Sequence, residues 1–323
     1  MNLEERGPDR LTLISFAAVA LMGGTNFVAV KYSVSDLDPF WGAGGRFVVA
    51  AVILLAIVAA RRLPLPRGGA LVGAILYGIL SFTAFYALTY YAIQRLPAGI
   101  AAILGATVPL LTFLFAVVQR LEPFRWRGLI GAVVAVAGIA ILAGGAGDGS
   151  IHVPSVLAML AGAACGAEAG IVLKRFPGTH PVTTNAVAIA IGGVLLLVLS
   201  VSTGESFALP SRAATWTSVA YLATLGTVGL FILYVFALNR WTASGMSYLF
   251  VLMPIVAVIL SATLLDERVT IRFAASAFLV LAGTYVGALS GRRRAPAIVS
   301  REPVPAEPVA VEATAASAQR PPC

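Results

Sequence analysis

The chain has 323 residues, 59% hydrophobic and 11% charged, with a mean hydropathy of +0.93 and a formal net charge of +8. That balance excludes a soluble globular domain, whose exposed apolar patches would drive aggregation, and points to a bilayer. The positive charge does not imply nucleic acid, because the basic residues sit in short loops and a tail. Cys165 and Cys323 make no disulfide framework, and His152 and His180 belong to no HExxH pair, so no metal or other cofactor is expected.

In chain order, residues 1–10 are a short polar N-terminus. Ten apolar segments come next, at 11–32, 39–60, 69–93, 97–119, 128–144, 154–173, 182–201, 213–238, 243–265 and 269–289. Each is close to the ~20 residues that a bilayer-crossing helix requires. The first has no small-residue cleavage site after a short apolar region, so it reads as a retained helix. The uninterrupted apolar runs lack the alternation of a membrane barrel, and backbone groups in lipid must be satisfied internally, so every span is expected to be helical. Residues 290–323 open with Arg292-Arg293-Arg294 and continue in Pro, Ala, Glu and Val, a composition that buries no core and predicts a disordered cytoplasmic tail.

The chain repeats itself. At a constant offset of 145, Arg95 falls on Arg240, Pro109 on Pro254, Glu122 on Glu267, and Ala137-Gly138 on Ala282-Gly283. The repeats are 11–144 and 154–289. Five spans is an odd number, so the second repeat is expected to be inverted with respect to the first. With both termini in the cytoplasm, sixteen of the 22 basic residues fall inside and five outside, with Arg46 within a span. This bias sets the expected orientation in the plasma membrane.

Polar groups inside spans are the candidate site residues, since they are costly in lipid. Asn26 lies in span 1. Thr83, Tyr86 and Tyr90 share a face of span 3 on a regular helix, as Thr224, Thr227 and Tyr234 do on span 8, and Tyr248 lies in span 9. These are expected to line a central cavity rather than serve only as interhelical glue. Glu168 is the one acid well inside a span. It sits about 200° from Gly166 on a regular helix, away from the stripe Gly162, Gly166 and Gly170. It reads either as a proton-coupling or cation-binding carboxylate or as a structural acid bonded to its neighbours. Lys31 and Lys174 end spans 1 and 6 and are either snorkelling residues or gate charges; Arg46 lies about two turns into span 2. Pro109 and Pro254 are expected to kink spans 4 and 9 at equivalent places. Glu122 and Glu267 read as structural ties for short loops.

Pro39-Phe40 followed by Arg46-Phe47 and Ala50, then Pro109, Glu122, Gly131 and Gly138, with Pro254, Glu267 and Gly283 in the second half, resembles an EamA-type carrier of the drug/metabolite transporter superfamily. The resemblance covers 11–289. It implies an all-α membrane protein of ten transmembrane helices in two inverted five-helix repeats, with a cavity bordered mainly by spans 1, 3, 4, 6, 8 and 9. The implied activity is movement of a small metabolite or drug, often outward. The expected partners are therefore a small-molecule substrate, the bilayer and protons. No enzymatic site is expected: there is no HExxH, no aspartate inside a span and no phosphate-binding glycine loop. Two alternatives stand beside the exporter. One is an antiporter of phosphorylated metabolites or nucleotide-sugars, which wants two or more basic residues facing the cavity. The other is a non-transporting scaffold or receptor, which has no need of an internal repeat.

Overall fold

The computed structural model of the chain describes residues 9–121, 123–143, 152–176, 180–238, 240, 246 and 249–289. Glu122, Tyr248, the side chain of Lys174 and the tail 290–323 lie outside the described residues, as do residues 1–8 of the N-terminus. The description concerns the unit that ends at Gly291.

Among the described residues all regular structure is helical. Span 1 is α1 (Arg10–Val34) and span 2 is α2 (Pro39–Ala60). Span 3 is α3 (Gly69–Tyr77), a π-helical segment Gly78–Ala84 and α4 (Phe85–Ile93). Span 4 is α5 (Ala98–Gly105) and α6 (Val108–Val118), and span 5 is α7 (Trp126–Ala143). In the second half come α8 (Val153–Arg175) and α9 (Pro181–Ser202). Span 8 is α10 (Ala213–Ala223), the π segment Thr224–Gly229 and α11 (Leu230–Leu238). The last two are α12 (Leu249–Leu264) and α13 (Ile271–Thr284), the latter continued by the π turn Tyr285–Leu289. Seven helical stretches are long and apolar enough to cross a membrane, and Trp126–Leu142, Val251–Leu264 and Ile271–Gly287 are shorter apolar helices. The chain is a multi-pass membrane protein.

Helix starts follow local chemistry. Asp9 accepts a hydrogen bond from Thr12 N at 2.8 Å, and Pro39 and Pro181 open α2 and α9, where a missing N–H costs nothing. The two histidines are N-caps: Nδ1 of His152 accepts from Ser155 N, and Nδ1 of His180 from Val182 N, both at 3.3 Å.

Glycines set the closest packing. A Cβ on Gly44 of α2 would lie 2.8 Å from Leu197 of α9, and one on Gly24 of α1 would lie 2.5 Å from Val256 of α12. The backbones of Gly131 and Gly283 leave no room for a side chain between α7 and α13. These contacts cross between the halves: span 2 packs on span 7, span 5 on span 10 and span 1 on span 9.

One end of the bundle is tied by side chains that reach orphan backbone groups. Glu205 accepts from Phe40 N and Trp41 N at 3.1 and 2.8 Å, capping α2, and Glu267 accepts from Ala98 N and Gly99 N at 2.7 and 3.3 Å, capping α5. Asp38 accepts from the amide and hydroxyl of Ser206. Asp36 accepts from the amide and hydroxyl of Ser211 and the amide of Arg212. Tyr32 donates to Leu264 O at 2.8 Å, and Arg95 meets His152 at 3.0 Å. The C-terminus of α1 and the N-terminus of α8 therefore lie at the same end.

Candidate functional site

A cavity of about 400 Å³ lies between the halves. Spans 1, 3, 4, 6, 8 and 9 contribute, and so do span 2 through Arg46 and span 7 through Asn185. The volume falls toward the small end of the range for small-molecule sites.

Two irregular turns shape its walls. The offset of 145 carries Gly78–Ala84 onto 223–229, where the second π segment, Thr224–Gly229, lies. A π turn widens the helix and frees backbone groups, a feature concentrated at functional sites. Within these turns Thr83 Oγ1 donates to Gly78 O at 3.4 Å and Thr227 Oγ1 donates to Leu222 O at 2.7 Å, each reaching five residues back. Phe82 and Thr227, one from each turn, line the cavity.

Arg46 is the centre of the site. It is only 2% exposed, and among the described residues it is the one basic side chain lining the cavity. Its guanidinium carbon lies 4.8 Å from the ring centre of Tyr86, 5.4 Å from that of Tyr90 and 4.5 Å from that of Phe47. Its Nε and Nη1 have no hydrogen-bond partner. The rings beneath it brace one another: Phe47 meets Tyr86 edge-on at 4.7 Å, and Phe82 stacks on Tyr86 at 6.2 Å. Across the cavity Asn26 Nδ2 donates to Gly226 O at 2.9 Å, joining α1 to the second π turn, while its Oδ1 is buried without a partner. No Asp or Glu lines the cavity among the described residues.

The residues singled out in the sequence divide accordingly. Asn26, Arg46, Tyr86, Thr227 and Pro254 line the cavity. Tyr90 lies fully buried beneath the Arg46 guanidinium, its hydroxyl without a partner. Thr83, Thr224 and Tyr234 do not line it, against the expectation from their shared helical faces. Thr224 is exposed and donates to Ala220 O at 2.6 Å, and Tyr234 packs beside the buried residues Val19, Ala20 and Ala237. On span 3 the cavity face is the helical stripe of Phe82, Phe85, Tyr86, Thr89 and Ile93, with Ser81 at its edge, and Thr83 lies off that stripe. On span 8 the lining stretch runs from Gly226 to Phe231, so Thr224 stands before it and Tyr234 one turn beyond it.

Lys31 does not line the cavity. Its Nζ donates to the carbonyls of Ile93 and Leu96 at 2.7 and 2.8 Å and closes the end of α4. Glu168 accepts from Gln119 Nε2 at 2.7 Å, and Gln119 Oε1 accepts from Arg175 Nη2 at 2.5 Å, so the acid faces α6 and not the cavity. The glycine stripe beside it packs on α4 at Gly162 and Gly166, whereas Gly170 faces open space. Pro254 stands inside α12, but Pro109 does not stand mid-helix: it opens α6 after a break at Ala106-Thr107. Glu267 does tie a loop, across to the start of α5.

A many-span apolar bundle around a small central cavity fits a membrane transporter. The EamA-like transporter family model matches the chain twice, over residues 10–144 and 153–288, and the chain belongs to that family. It is 32% identical over 260 residues to an uncharacterized inner membrane transporter, YedA, of Escherichia coli K12, with 79% of this chain and 83% of that one covered. It is 26% identical over 288 residues to a probable amino-acid metabolite efflux pump of the same organism, covering 85% and 94%. A solved crystal structure matches with a TM-score of 0.63 at 21% identity, over 89% of this chain and 100% of that one, a likeness of fold.

Proposed function

We propose that the protein is a secondary carrier that exports a small organic metabolite across the plasma membrane by alternating access. The observation that carries this reading is the cavity walled by both halves, with a π turn at the same register in each. Ten spans in two inverted repeats, residues 11–144 and 154–289, with both termini cytoplasmic, are part of the same reading. The end shared by the C-terminus of α1 and the N-terminus of α8 supports the inversion, and the charge bias supports the orientation. Export is supported by the relative named as an efflux pump. A phosphate dianion fits less well, because one arginine is the only basic lining residue among those described.

Proton coupling through Glu168 completes the proposal, supported by its hydrogen bond to Gln119 at the end of span 4, a span that also walls the cavity. The test is transport into and out of proteoliposomes for a panel of amino acids, organic acids, phosphate esters and amines, with and without a pH gradient. Solute movement is expected, accelerated by the gradient. Glu168→Gln is expected to keep solute counterflow and lose the acceleration. A panel in which nothing moves defeats the carrier reading, and a fully gradient-responsive Glu168→Gln protein defeats the coupling.

A further inference from the structure

We infer that Arg46 anchors the carboxylate of the transported solute, making the substrate a small monocarboxylate with an apolar body. The inference rests on the carrier reading and names its substrate class. A guanidinium carries five donors and stays charged, and burying one without a counter-charge is costly. Such a group is normally paired with a carboxylate in the fold. Here, among the described residues, it is not: Nε and Nη1 have no partner, no acid lines the cavity, and the rings of Phe47, Tyr86 and Tyr90 lie against the cation. Ring faces attract the charge but accept none of its in-plane N–H groups. The missing acceptor is a planar anion, and a carboxylate matches the guanidinium fork in two parallel hydrogen bonds.

The neighbouring groups agree. Thr89 lines the cavity with its hydroxyl unpartnered, a donor for the same anion, and Asn26 Oδ1 is an unused acceptor for a substrate N–H or O–H. Phe82, Phe85 and Tyr86 line the cavity as well and offer apolar surface to the rest of the molecule. A single arginine balances one negative charge, which favours a monocarboxylate over a phosphate ester.

The experiment uses the full chain in lipid nanodiscs and in proteoliposomes, with 3-phenylpropanoate, benzoate and leucine as carboxylates, 3-phenylpropanamide as the uncharged match and phenyl phosphate as the dianion. The carboxylates are expected to raise the melting temperature and to move across the membrane, and the amide to do neither. Arg46→Gln is expected to weaken carboxylate binding about 100-fold, the scale of losing a charge-assisted pair, while Arg46→Lys keeps part of it. Without solute, Arg46→Gln is expected to melt no lower than the wild type, because it removes an unpaired buried charge. Equal response to acid and amide, preference for the phosphate, no response to any carboxylate, undiminished binding by Arg46→Gln, or a much lower unliganded melting point overturns the inference. Arg46-dependent binding without movement overturns the carrier reading and leaves the anchor in place.

Discussion

Asp36 shows how a single carboxylate works at the tied end of the bundle. The Ser211 hydroxyl is the main group holding its pKa down, to about 2 from the ordinary 3.8, with the Ser211 and Arg212 amides adding to it, since all three donate to the ionised form. A lowered folded-state pKa means that the contribution is complete above about pH 4 and fades as pH falls toward about 2. Asp36→Asn keeps the shape and loses the charge. Melts of both proteins in nanodiscs are expected to differ by a constant amount from neutral pH down to about 4 and to converge below that. A difference that ignores pH would mean that shape and not ionisation matters. Composition and position flagged Arg46 and Glu168 as ionisable groups within spans. Their surroundings were not legible, because Gln119, itself held by Arg175, reaches Glu168 from 49 residues before it, and the absence of an acid near Arg46 among the described residues is a property of several helices at once.

Helices were the most legible level. Apolar length and Pro at helix starts placed most helices within a few residues of their observed ends, and the expected start of the ninth segment lies outside the described residues. The π turns were not legible, since their extra width arises from packing around the cavity and leaves no signature in hydrophobic periodicity. Contact glycines were legible only as a type. Gly44 and Gly45 are neighbours on α2, yet a Cβ on Gly44 meets Leu197 at 2.8 Å and one on Gly45 meets nothing within 4 Å. Gly44→Ala is therefore expected to destabilise by about 1–3 kcal/mol through overpacking, and Gly45→Ala to be neutral or stabilising by up to about 1 kcal/mol through helix propensity. Unfolding titrations of the two variants decide it, and equal effects would mean that α2 and α9 adjust freely.

At the scale of the whole molecule, the internal repeat was readable as an offset, but the pairing of spans across the halves was not, because an offset relates equivalent elements without saying which ones touch. The ties at the Asp36 end have one further property. Phe40, Trp41, Ala98 and Gly99 are first-turn amides with no acceptor in their own helices, and their carboxylate partners stand on loops of the other half. Opening this end would hand the same amides and carboxylates to water, at a net cost of about 1.5–3 kcal/mol for each charge-assisted bond. Each opening leaves a trace in isotope content. In deuterated buffer these four amides are expected to exchange together, at the frequency with which the end parts, and ahead of the helix interiors. Four unrelated rates would mean that each loop frays alone. Under the proposed alternating access, hydrogen exchange at these four backbone positions becomes a clock for the opening of this end.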